Sequence, residues 1–138
     1  MARIYRQMPL NSIWEGSGNI MCLDILRAFA KHPRSLDVLA AEIEPALGRD
    51  KRLDLFVSKL KDEMRKRDNI EARARAITQG IALAIQGGLL VRFAPDYVAS
   101  AFCASRLSAD SPFGGGAFGA LPGNTDFGAL LARAWPEL

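Results

Sequence analysis

The run 69–93 constrains this chain more than any other feature. Ala72, Ala76, Gly80, Ala84 and Gly88 recur every four residues, and Ile70, Ala74, Ile77, Ile81 and Ile85 form a bulkier row beside them. Rows with that spacing share one side of a helix. A small-residue row lets a second helix approach closely. The pattern therefore predicts one helix over 69–93, capped by Asn69 and tightly packed in a core. Its most apolar part, 77–91, is interrupted by Thr78, Gln79 and Gln86. It reads as a buried helix and not as a membrane span.

The rest of the chain follows from that helix. Leu53, Phe56, Val57, Leu60 and Met64 repeat at i, i+3, i+4, i+7 and i+11, which predicts an amphipathic helix over 50–67. Its outer face pairs Lys59 with Glu63, Asp62 with Lys66 and Glu63 with Arg67. A helix over 19–32 is apolar nearly all round, through Ile20, Met21, Leu23, Ile25, Leu26, Phe29 and Ala30, and is expected to be mostly buried. Another runs over 35–47, with Ser35 as N-cap, Leu36, Leu39, Ile43 and Leu47 inward, Pro45 straining its last turn and Gly48 closing it. A fifth spans 95–107, with Val98, Phe102 and Ser105 on one side. A short helix spans 126–134, capped by Thr125 or Asn124. Residues 1–7 read as a helix end stopped by Met8-Pro9, as if the chain began partway through a longer protein. No β-alternation interrupts this pattern. The expected fold is all-α, a bundle of about four to five helices with a Gly-rich loop near the C-terminus.

At 138 residues, a single domain is expected, large enough to bury a core without disulfides or metals. Cys22 and Cys103 read as reduced packing residues, and two Cys with one His do not make a structural zinc site. The start lacks the apolar core of a signal peptide, so a cytoplasmic protein is expected. Net charge is +3, and residues 49–75 carry ten basic and six acidic side chains, which holds the surplus. That stretch suits either an anionic partner or a solvated helix face. Gly114-Gly115-Gly116-Ala117-Phe118-Gly119 spells G-x-G-x-x-G, but a helix precedes it and Pro122 follows, so a dinucleotide fold is set aside. His32, the lone histidine, suits a helix end better than catalysis. Trp14 and Trp135 are too few for a base-stacking platform.

The stretch Ile13, Trp14, Glu15, Gly16, Ser17, Gly18, Asn19, Ile20, Met21, Cys22, Leu23 is different in kind. It sets one acid beside an aromatic, then glycines, then residues favoured just before a helix. Such a loop could present a carboxylate and a helix N-terminus suited to a phosphate. It could equally be an ordinary loop with one solvated Glu.

Residues 3–24 resemble the last part of acyl-CoA dehydrogenases, and most closely their AidB-like branch, the adaptive-response flavoproteins. The carrier is Ile-Trp-Glu-Gly-Ser-Gly-Asn-Ile at 13–20; Phe-Cys-Ala-Ser-Arg-Leu at 102–107 and Phe-Gly-Ala-Leu-Pro at 118–122 support it. The resemblance implies a C-terminal helical domain of that superfamily, with 1–33 as catalytic loop and first helix and 34–138 as the AidB-like helical extension. It implies that Glu15 is the base that takes the α-proton of an acyl-CoA, while the β-hydride passes to FAD. An apolar, aromatic-flanked carboxyl suits that work, since its pKa rises toward working pH. The resemblance also implies that Ile13–Leu23 contacts FAD, with Asn19 the most direct contact, and that the parent is a homo-oligomer, usually a tetramer. The family's flavin-cradling middle domain precedes this segment, so the isolated chain is expected to show no turnover and to bind FAD weakly or not at all. The extension is associated with double-stranded DNA in the family. On that reading Arg49, Lys51, Arg52, Lys59, Lys66 and Arg67, with Arg27 next, are the phosphate contacts. A blander reading is a helical packing module that supports oligomerisation.

Overall fold

The computed structural model describes residues 2–12, 17–108 and 119–135, apart from the side chain of Ser12. Seven α-helices are described: α1 (Ala2–Gln7), α2 (Gly18–Lys31), α3 (Arg34–Ile43), α4 (Lys51–Arg65), α5 (Ala74–Phe93), α6 (Asp96–Phe102) and α7 (Phe127–Ala134). There is no strand among the described residues, so the expected all-α class holds, with more and shorter helices than expected.

Helix α5 is the axis, with α2, α3, α4 and α6 all packed on it. The reason is the small row. Gly80 faces Leu60 on α4, Gly87 faces Leu107, Leu53 and Phe102, and Gly88 faces Ala46 and Ile43. Gly80, Ala84 and Gly88 are buried while Ala72 and Ala76 are exposed, so close approach occupies only the C-terminal part of the row. The segment 71–93 is long and apolar enough to cross a membrane by length and composition. Ala74, Ile77, Gly80, Ile81, Ala84, Gly87 and Gly88 are nevertheless buried against the other helices, as a core helix requires.

The core joins Ile43, Ala46, Leu53, Val57, Ala84, Cys103 and Leu107. Leu53 and Cys103 are fully enclosed. Each large apolar side chain removed from water stabilises the fold by about 1.5–3 kcal/mol. Both cysteines are buried and unpaired, as expected.

Several local expectations are corrected. Helix α2 buries only Cys22; Ile20 is 53% and Met21 36% exposed, because α2 is covered on the side facing α5 and α3. Ser35 lies inside α3, whose N-cap position is Pro33. Pro45 does not strain α3, because α3 ends at Ile43 and Glu44–Ala46 forms a separate 3-10 turn. Gly48 adopts φ +82°, the left-handed turn expected of it. Asn69 is not a cap; it takes φ +50°, a 3-10 turn at Glu71–Arg73 follows, and α5 starts at Ala74. The fifth helix switches to a π-turn at Cys103–Leu107, where Ser105 is buried and its hydroxyl donates to the Ala101 carbonyl at 2.8 Å. Its buried residues are Ala99, Ala101, Cys103, Ser105 and Leu107, while Val98 is half-buried and Phe102 half-buried against the core. The cap of α7 is Asp126, one residue later than expected, and accepts from the Ala129 N–H at 2.9 Å. His32 is the C-cap of α2.

Two arginines tie helix ends together. Arg73 donates to the backbone carbonyls of Glu63, Lys66 and Asp68 and to the Glu63 carboxylate, closing the exit of α4. Arg92 on α5 donates to the Glu42 carbonyl at 3.0 Å and its carboxylate at 2.8 Å, closing the end of α3.

Candidate functional site

Ile13, Trp14, Glu15 and Gly16 lie outside the described residues, as do residues 114–118 of the Gly-rich motif. What is described is the landing of the loop on α2. Ser17 is extended (φ −72°, ψ 154°), and its carbonyl accepts the Met21 N–H at 3.1 Å, the first bond of the helix. Its side chain makes no capping bond. The amides of Gly18, Asn19 and Ile20 precede that first bond, and such groups have no partner within a helix. Asn19 is exposed, and its Oδ1 accepts from Nη1 of Arg75 on α5 at 2.8 Å. A Cβ added at Gly18 would stand 3.8 Å from Nη2 of Arg75, with nothing nearer. The landing is thus rich in donors: backbone N–H groups, the Asn19 amide and a guanidinium that makes no ion pair among the described residues. That donor set fits the pyrophosphate and ring acceptors of a flavin nucleotide. Of the remaining cofactor candidates, Ile20 and Met21 are exposed, Leu23 is half-buried and Cys22 is buried toward the protein interior.

Arg75 was not among the expected site residues. Fifty-six positions separate it from Asn19, and no local spacing links the two. Its only signal in the sequence is membership of the basic stretch.

That stretch does not form one open cationic face. Arg52 pairs with Asp50 at 2.5 Å and reaches Ser100 Oγ at 3.2 Å, Lys66 pairs with Glu63, and Arg27 pairs with Asp24 at 2.6 Å. Arg49, Lys51, Lys59 and Arg67 are exposed. Lys59 edges an apolar groove of about 220 Å³ between α4 and α5. Three of the seven residues expected on phosphates are therefore held by carboxylates. The expected i, i+4 pairs on α4 are replaced by Arg65–Asp62, Lys66–Glu63 and Arg73–Glu63.

Among the described residues, the titrating groups that depart from ordinary values are structural. The Arg52 side-chain bond, opposed by burial, holds Asp50 below the usual carboxylate range; the same bond raises Arg52. Lys66, then Arg73, lowers Glu63. Burial pushes the Cys103 thiol up to about 11, so it is not a nucleophile at neutral pH.

No family model matches the chain. Over 107 residues, 78% of its length, it is 40% identical to AidB of Escherichia coli (strain K12), a protein named as a provisional acyl-CoA dehydrogenase. The chain spans 19% of that relative's length. In its sequence over those residues and in its all-α fold, the chain is similar to a segment of AidB, as a fragment of the AidB-like acyl-CoA dehydrogenases would be.

Proposed function

We propose that this chain supplies the catalytic loop and C-terminal helical part of an FAD-dependent acyl-CoA dehydrogenase-type site. The observation that carries the reading is the donor-rich landing at Gly18, Asn19 and Arg75, directly after Trp-Glu-Gly-Ser, in a chain 40% identical to AidB over 107 residues. Gly18 and Asn19 would hold acceptor atoms of the flavin nucleotide, with Arg75 bonded to Asn19 beside them. When bound, FAD supplies the acceptor for the β-hydride of the acyl-CoA. On this reading the Glu15 carboxylate is the base that takes the α-proton. Helix α5 braces α2, on which the loop lands.

On this reading most of what holds the flavin lies in the parent outside the matched segment, and the chain spans 19% of its relative's length. The purified chain is expected to show no dye-coupled acyl-CoA oxidation and only weak FAD binding. Turnover with copurifying flavin would contradict that. A positive test replaces the corresponding segment of E. coli AidB with this chain's matched residues and asks whether the chimera retains FAD. A folded chimera devoid of flavin, beside a flavin-loaded parent, would overturn the reading.

A further inference from the structure

The Arg75–Asn19 bond fixes more than a distance. An asparagine amide has one accepting end and one donating end, and rotating it exchanges them. A guanidinium only donates, so Nη1 of Arg75 at 2.8 Å holds Oδ1 on its own side. Nδ2 is left as the free end, with no hydrogen-bond partner among the described residues. Neither residue is held by a carboxylate among the described residues, and the bond spans two helices, α2 and α5.

We propose that Arg75 is a positioning residue that sets the polarity of Asn19, so that this side chain offers a donor to the ligand and recognises an acceptor oxygen or nitrogen. This rests on the flavin reading for the identity of the ligand; the clamp itself rests on the bond alone. Its consequence is that Arg75 acts through Asn19. An arginine that merely attracted a polyanion would act independently of it.

The test uses the 138-residue chain with FAD as the probe, followed by ¹⁵N NMR. Unliganded, Arg75→Ala should move the Asn19 side-chain amide resonances and speed their exchange with water, while Arg27→Ala, an equal charge loss on α2, should not. With FAD, Arg75→Ala and Asn19→Ala should each weaken binding by about 5–10-fold, the loss of one charge-assisted hydrogen bond. The double variant should bind no more weakly than Asn19→Ala. Losses that multiply in the double variant would overturn the proposal, as would Asn19 resonances indifferent to Arg75→Ala. If the E. coli AidB chimera retains no FAD while Arg75→Ala still moves Asn19 in the isolated chain, the flavin reading fails and the clamp stands.

Discussion

Gly87 and Gly88 are adjacent on α5, both buried, and the structure gives them opposite responses to one methyl group. In mid-helix, replacing Gly by Ala stabilises by about 0.5–1 kcal/mol through backbone entropy. At Gly88 the added Cβ would meet Ala46 Cβ at 3.7 Å and Ile43 Cα at 3.9 Å, ordinary contact distances. Gly88→Ala should therefore keep that gain. At Gly87 the Cβ would stand 2.9 Å from Leu107 Cδ1 and 3.2 Å from Leu53 Cδ1, with Phe102 at 3.7 Å closing the third side. Leu53 is fully buried and Leu107 nearly so, so neither has open space to move into. Overpacking of this kind costs roughly 1–3 kcal/mol. Net, Gly87→Ala should destabilise by up to about 2 kcal/mol, and the two variants should differ by roughly 1–3 kcal/mol. Urea unfolding followed by far-UV circular dichroism measures this directly, with the slope expected to stay constant. Equal midpoints, or Gly87→Ala the more stable, would show that α5 is not packed in this register.

Three further outcomes follow from the same contacts. Arg73→Ala removes a charged donor from three carbonyls at the end of α4 and should cost about 1.5–3 kcal/mol in the same assay. Asp50 caps α4 and has a lowered folded-state pKa, so its charge stabilises the fold above the unfolded pKa and that stability is lost as pH falls through the folded one. Asp50→Asn keeps a capping side chain and should flatten the loss of stability below about pH 4, measured by urea midpoints across that range. Cys103, enclosed and with its pKa near 11, should resist a thiol reagent at pH 8 until the chain is unfolded, whereas labelling at the rate of a free thiol would refute its burial.

The sequence made α4 and α5 legible because their apolar and small residues repeat at helical spacing and the repeat is satisfied by neighbours in the same bundle. Helix α2 was misjudged for the complementary reason. Its apolar circumference reports what the side chains are, and not how many sides this chain covers. Asparagine suits both an N-cap and the left-handed turn that Asn69 adopts, so its residue type does not separate the two. The π-turn at Cys103–Leu107 has no periodic signature. At the site, Gly18 and Asn19 were readable as a motif. Arg75 was not, since only the packing of α5 against α2 brings it there.

The most direct test of the central claim is reduction of bound flavin by an acyl-CoA under anaerobic conditions, in the chimera that carries this chain's residues in E. coli AidB. The account predicts bleaching of the flavin absorbance, slowed about 10²–10⁴-fold by Glu15→Gln with the flavin still bound. Bleaching at an unchanged rate in Glu15→Gln would contradict it.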